Sequence, residues 1–491
     1  MRSLLSSGGT SRRRAAVLLT AVVALAMTSS ACGARLSNKQ RTLAIQQGTG
    51  NNVGTTTTNG SSGANAGGTT GTAATTGGTV GTKGTTGSST TTGTATGGSA
   101  GQTCTATSAN NGGKTDTGVT STQISVANIS DISGPVPGLF KSARDASQAY
   151  VNYFNTTNPN GICGRKLKLD TKDSKTDSGA NKTATKAACA SDFALTGGQS
   201  AFDDGGADEV SKCKIVDIPA AAVTGKRQAT AYTYAALSTN KNEISAALPN
   251  YFKGKFGTAV TQHAGFLYID AGAAKENGEN NIKAYEKVGW KFVYTAAVPI
   301  PSATPQGMKP YVQHLKDAGA TFVQWIGAYQ QAAYLASAMS QSSYKPTVYL
   351  TDPTAYIDKY VQQAGASAEG TYVYSPTTLY DSGVAEMQLY AQWLRQSGVS
   401  DQPTFFGQAA WSAMRLFTDM AFKVGPKLTR PAVLAQLKKV DNWTGNGITS
   451  KQHVGQKKTG QCVLMMQVKG GRFTKIAPAG DGYLCDNLIT I

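Results

Sequence analysis

The chain has 491 residues, 46 of them Lys or Arg and 28 Asp or Glu, for a formal net charge of +18. Nine of the basic residues precede Asp116, the first acidic one, which leaves the body of the chain with a mild excess of 37 basic over 28 acidic residues. No Lys/Arg stripe with interleaved aromatics runs along it, so nucleic acid is excluded as the expected partner, and the length is ample for two or three domains.

The first segment reads as an export address. Arg12, Arg13 and Arg14 precede an apolar run from Ala15 to Met27, shorter than the roughly 20 residues of a membrane span and suited to a secretory h-region. It ends in Ser29-Ser30-Ala31-Cys32, small residues before a cysteine that resemble a bacterial lipobox. Residues 1–31 are therefore expected to be a signal peptide. Cys32 would be the lipidated first residue of the mature protein, anchored to the outer face of the cytoplasmic membrane. A soluble secreted protein cut near Ala31 is the alternative. From Gly48 to Gly101 the chain is almost wholly Gly, Thr, Ser, Ala and Asn, with Lys83 its one charge. Such a segment buries too little to order itself, and as a coil it reaches about 40 Å. Residues 32–114 thus read as a lipidated N-terminus and disordered tether.

Strand and helix patterns begin after it. Ile124–Ile129 is an apolar strand, and Ala143, Ala146, Tyr150, Tyr153 and Phe154 recur at helical spacing. Lys166–Thr171 predicts a second strand, followed by a helix from Asn181 to Ala190, a short strand at Phe193–Leu195, a helix through Val210 and a strand at Ile215–Ile218. After Ser238 the alternation restarts: helix Ile244–Phe256, strand Ala264–Ile269, helix Asn277–Val288, strand Phe292–Val298, helix Tyr311–Ala318, strand Thr321–Trp325, helix Ala332–Met339 and strand Thr347–Leu350. A strand near Gly370–Tyr374, helices around Trp393 and Trp411, and a terminal hairpin complete the chain. Alternation of this kind predicts an α/β fold of two doubly wound, Rossmann-like lobes with parallel strands and right-handed crossovers.

Seven cysteines fit an oxidising compartment. With Cys32 lipidated, six remain. Cys462 and Cys485 flank the terminal hairpin and form the first expected pair; Cys163, Cys189 and Cys213 lie at helix ends or strand starts on one side, so two of them could pair, and the partner of Cys104 stays open. No C-x-x-C occurs and the three histidines are scattered, so neither metal nor cofactor is expected.

In open α/β sheets the loops after the strands present the ligand, and helix N-termini there offer free N–H groups to a carboxylate. Gly197-Gly198-Gln199-Ser200 is such a loop. Its glycines permit close backbone approach, and Ser200 is the expected donor to a ligand carboxylate, a helix N-cap being the alternative. Phe140, in the loop after the first strand, could wall a side-chain pocket or belong to the core.

The stretches Ile129–Asn155, Asn160–Ala188, Gly319–Met339, Thr351–Tyr360 and Ser367–Pro376, in that order and spacing, resemble type I periplasmic substrate-binding proteins of the branched-chain amino-acid ABC importers. The resemblance spans Thr115 to Pro478. It implies two lobes joined by three crossovers that close on a small ligand, an amino acid or related amide, and hand it to ABC permease subunits in the membrane. The expected partition is lobe 1 at 115–238, lobe 2 at 239–371, a lobe 1 return at 372–445 and a closing segment of lobe 2 at 446–491. It also implies that Thr224 supplies a second hydroxyl, that Ala222 could offer a carbonyl to an ammonium group, that Tyr329 closes over the ligand and that Asp352 pairs with an α-ammonium. The chain departs from the family after Ile269, where Asp270-Ala271-Gly272-Ala273-Ala274 lacks the usual aromatic; Lys141 and Arg144 add positive charge near the cleft mouth.

The fold also suits an envelope sensor or surface protein. Ser342-Ser343-Tyr344-Lys345 and Lys458-Thr459-Gly460 satisfy two of three marks of penicillin-binding serine enzymes, but no S-x-N lies between them. G-x-S-x-G occurs once, as Gly97-Gly98-Ser99-Ala100-Gly101 within the low-complexity stretch and not between a strand and a helix, and H-E-x-x-H and P-loop patterns are absent, so no enzyme is expected.

Overall fold

The computed structural model describes residues 104–491. The signal peptide, Cys32 and the tether up to residue 103 lie outside the described residues. Lobe 1 is built on β1 (Gln123–Ser130), flanked in parallel by β2 (Lys166–Asp173) and β3 (Ala194–Thr196), with β4 (Val216–Ile218) beyond, in the order β2-β1-β3-β4. β1 is buried along nearly its whole length because it is central and covered on both faces, which is why it reads as a continuous apolar run. Its helices are α1 (Lys141–Thr157), α2 (Ser178–Ser191) and α3 (Asp204–Cys213). Asp177 caps α2 by accepting from Ala180 N, which starts that helix three residues before the apolar period does.

The chain then enters lobe 2 through β5 (Glu243–Ser245) and α4 (Ala247–Phe256). A single helix from Ile244 was expected; instead β5 pairs antiparallel with the C-terminal tail, a partner more than 200 residues away that periodicity does not reveal. There follow β6 (Ala264–Ile269), α5 (Gly272–Lys287), β7 (Phe292–Val298), α6 (Met308–Asp317), β8 (Phe322–Ile326), α7 (Tyr329–Gln341), β9 (Val348–Thr351), α8 (Asp358–Ala364) and β10 (Tyr372–Ser375). These strands lie parallel in the order β7-β6-β8-β9-β10, the same winding as lobe 1. β10 is hydrogen-bonded in this second sheet, so the return to lobe 1 starts at Pro376 and not at residue 372. It carries α9 (Ala385–Gln396), α10 (Phe405–Val424) and α11 (Arg430–Leu437).

α10 is apolar around most of its circumference because it is buried on nearly every side. It packs on α1, where Tyr150 hydrogen-bonds Thr418 at 2.7 Å and its ring meets Trp411 edge-on at 4.9 Å. The chain ends in lobe 2 with β11 (Cys462–Lys469) and β12 (Arg472–Ala477), an antiparallel hairpin beside β10, then β13 (Leu484–Cys485) on β11 and β14 (Leu488–Thr490) on β5.

Three chain passes link the lobes, and one side chain ties them. Gln452, 1% exposed, accepts from Ser238 N of the first pass at 3.0 Å and donates to Ser450 O and Oγ of the third. Ser450 N in turn donates to Pro376 O of the second at 2.8 Å. The third pass runs on to β11, so the closing segment of lobe 2 joins its sheet at Cys462, later than residue 446.

The cysteines pair as Cys462–Cys485, as expected, with Cys189–Cys213 and Cys104–Cys163. Cys163 therefore belongs to Cys104, which staples the first described residue to lobe 1. Because that bridge closes 59 residues of chain against 24 for Cys189–Cys213, replacing both Cys104 and Cys163 by Ser should lower the unfolding free energy by about 4 kcal/mol in the chain-entropy model, and Cys189 with Cys213 by about 3 kcal/mol. Urea denaturation followed by tryptophan fluorescence checks both.

Candidate functional site

Both sheets reverse their strand order beside their first strand, between β1 and β3 in lobe 1 and between β6 and β8 in lobe 2. The loops after these four strands face one another across a cavity of about 330 Å³, within the range of small-molecule sites. Its wall is mostly apolar, with Val136, Leu139, Phe140 and Phe202 from the first part of lobe 1, Phe405 and Phe406 from the start of α10, and Leu248, Ile269 and Ile326 from lobe 2. Phe140 packs edge-on against Phe406 at 4.5 Å. The polar lining comprises Gln199, Ser238, Thr239, Asn277, Asn281, Gln331, Asp352, Thr354, Gln452 and neighbouring groups, and among the described residues no Lys, Arg or His belongs to it.

The lobes touch on either side of this cavity. Ala273 N donates to Ala201 O at 2.9 Å, Gly225 N donates to Glu276 at 3.0 Å, and Lys359 meets Asp401 at 3.0 Å. The first contact depends on Gly272. Its φ is +50°, and a Cβ there would fall 2.5 Å from Ala201 O and 3.2 Å from the Phe202 ring. The missing aromatic after Ile269 now has a reason: small residues let this rim reach lobe 1, and Phe202 supplies a ring from the opposite side.

The predicted site residues separate into two groups. Phe140, Gln199 and Asp352 line the cavity. Gln199 accepts from Ala221 N through Oε1, whereas its buried Nε2 has no partner. Asp352 accepts from Gly327 N at 3.0 Å and from Thr354 N at 2.8 Å. Among the described residues no cation pairs with it, and burial pushes its carboxyl up to about 6.

Ser200, Thr224, Ala222 and Tyr329 are not brought to the cavity wall. The Ser200 hydroxyl donates to Asp131 at 2.9 Å and accepts from Phe202 N. That of Thr224 donates to Asp203 and caps the turn at Gly225–Gln228. The Ala222 carbonyl already accepts from Gln228 and Thr239. Tyr329, at the start of α7, lines an adjoining crevice of about 110 Å³ together with Lys141, Lys359 and Asp401; the crevice shares Leu139, Pro353, Thr354, Phe405 and Phe406 with the cavity. The charge ascribed to Lys141 and Arg144 is met by Asp145, at 2.5 and 2.6 Å.

The residue that sequence reasoning missed is Asp131. Fully buried at the end of β1, it accepts from Ser174 Oγ at 2.6 Å, Thr176 N at 3.0 Å, Ser200 Oγ at 2.9 Å and Ala201 N at 2.8 Å. It thereby fixes two loops of the rim. An acid directly after an apolar strand was the available signal. Phe405 and Phe406 were missed because the helix around Trp411 was given no start; Thr404, which caps it by accepting from Gly407 N, marks one.

The two enzyme-like motifs lie apart. Ser342 follows the last residue of α7, about 20 Å along the helix from its cavity-facing N-terminus, and donates to Ala338 O, while Thr459 and Gly460 line the cavity.

A family model described as periplasmic binding protein matches residues 123–472. Among solved structures, a fatty acid ABC transporter substrate-binding protein from Thermomonospora curvata superposes with a TM-score of 0.65 at 16% identity, over 75% of this chain and 94% of its own. The branched-chain amino acid transporter substrate-binding protein of Streptococcus pneumoniae, in complex with isoleucine, gives 0.59 at 16% identity, over 72% and 100%. A solute-binding protein from R. palustris in complex with 4-hydroxybenzoate gives 0.60 at 16% identity, over 75% and 96%. No curated protein sequence matches the chain.

The raised carboxyl of Asp352 has a signed consequence. Its folded pKa, about 6, exceeds the unfolded value of roughly 3.9, so the stability it contributes is fully present below about pH 4 and is lost as pH rises through about 6. Carbon-detected NMR of the ligand-free protein should place the Asp352 titration near pH 6; a midpoint below about 4 would show that the carboxylate is well solvated.

Proposed function

Since the chain belongs to the periplasmic binding protein family and has its type I fold, we propose that it is an extracytoplasmic solute-binding protein whose lobes close on a small molecule and deliver it to an ABC importer. The observation that carries this reading is the cavity itself, walled from both lobes at the two points where strand order reverses. No bond is made or broken. Binding selects the closed arrangement, and a permease reads that shape. Cys32 as lipid anchor and the expected tether of 32–114, shortened at its end because Cys104 is bonded to Cys163 of lobe 1, are part of the same proposal, placing the lobes outside the cytoplasmic membrane within reach of permease subunits.

Within the cavity, Phe140 with Phe405 and Phe406 would hold the apolar body of the ligand, while Gln199 and Asp352 bind its polar end. Ser200, Thr224 and Ala222 would support the walls from behind through the groups they already bond. An amino acid or related amide was the expected ligand class. The apolar lining and the absence of a cation favour the amide side of that expectation.

Closure is tested at Gly272. Gly272→Ala puts a methyl into the space held by Ala201 O and should oppose the closed state, lowering ligand affinity by about tenfold or more, or about 1.4 kcal/mol. Small-angle scattering of wild type with the small-molecule fraction that copurifies should show contraction, and the variant less of it. Gln199→Leu and Asp352→Ala should each weaken binding by about 1 to 3 kcal/mol, measured by calorimetry with the same fraction. Full affinity in both would remove these residues from the site.

A further inference from the structure

If the cavity holds the ligand, as proposed above, its polar groups also define the ligand's charge. At several turns beside the cavity, backbone N–H groups are already taken by acceptors of the chain itself. In lobe 1 the Ala201 N–H and the Ser200 hydroxyl turn to Asp131. The N–H groups of Val223 and Thr224 turn to Asp203, at 2.8 and 3.1 Å. In lobe 2 those of Gly327 and Thr354 turn to Asp352, and the N–H of Ala273, in the first turn of α5, donates to Ala201 O. Among the described residues, Asp352 is the one Asp, Glu, Lys, Arg or His on the cavity wall. A ligand carboxylate closed in beside it would place two like charges in a desolvated space with no cation to offset them.

What the wall does offer is the opposite. Nε2 of Gln199 is buried without a partner. Gln331, next to Asp352 around the Gly327–Ala328 turn, uses Oε1 to accept from Ala328 N, while its Nε2 makes no hydrogen bond among the described residues. Both glutamines line the cavity with an amide nitrogen that makes no hydrogen bond among the described residues, Gln199 Nε2 being buried just behind the wall, and Asp352 lines it with a carboxylate. A buried donor left unmatched is unfavourable, so the complementary head group is one that accepts from the glutamines and donates to the acid.

We propose that the ligand is an apolar molecule whose polar head donates N–H and carries no negative charge, a primary carboxamide being the simplest form, and that free α-amino acids and carboxylates are excluded by the chain's own buried acids. The hydrocarbon body lies against Leu139, Phe140, Phe405, Phe406 and Leu248.

A matched series tests this on the full chain: isocaproamide, isoamylamine, isocaproate and leucine share one branched hydrocarbon and differ in head group. Calorimetry and thermal shift should show the amide or the amine bound at least about tenfold tighter than isocaproate and leucine, the scale of one buried hydrogen bond with its charge. Asp352→Asn should narrow that gap by several-fold, because the repelling charge is gone. Isocaproate or leucine binding as well as the amide overturns the proposal, as does an unchanged gap in Asp352→Asn. If none of the four binds while a small-molecule extract still contracts the protein in scattering, the ligand class is wrong and solute binding stands. If no extract contracts it, both readings fall.

Discussion

A carboxylate buried at the end of a central strand must collect hydrogen bonds, and Asp131 collects four of them from two loops. Everything at the lobe 1 rim follows from that demand. The loop after β3 bends inward to bring Ser200 and Ala201 to the acid. Ala201 O is then presented outward to Ala273 of the other lobe, and Gln199 is left facing the cavity with a free amide. Asp352 plays the matching part in lobe 2, gathering Gly327 and Thr354 next to Gln331, whose Oε1 accepts from Ala328 N. Each rim is organised around an acid that belongs to the chain.

Closing is made possible by different residues. Gln452 draws the three passes into one hydrogen-bonded knot at the back. At the front, Gly272 removes the side chain that would hold the rims apart. Between them lies a cavity whose aromatic and aliphatic walls come from both lobes, so a ligand filling it removes apolar surface from water only when the lobes meet. Binding and closure are coupled by that shared burial.

Sequence patterning was most reliable where burial is periodic. β1, β6 and the helices between them were legible because a strand buried on both faces is apolar throughout and a helix on a sheet repeats every three or four residues. It failed at β5, whose partner is the C-terminal tail, and at the boundary near residue 372, where β10 is held in the second sheet by β9 and β11. At the site the same limit appears more sharply. Ser200 and Thr224 have the chemistry of ligand donors, and a glycine-rich loop places them at the right end of the sheet. Yet their hydroxyls are captured by Asp131, 69 positions earlier, and by Asp203.

The order of strands and helices, the two-lobed plan and the pairing of Cys462 with Cys485 were determined by the chain alone, since each follows from local period or from a short hairpin. Which polar groups remain free to meet a ligand was decided only in three dimensions. A hydrogen bond is made with whatever lies within about 3 Å, and for Ser200, Gln199 and Asp352 those neighbours include Asp131, Ala221 and Gly327, which stand 69, 22 and 25 positions away.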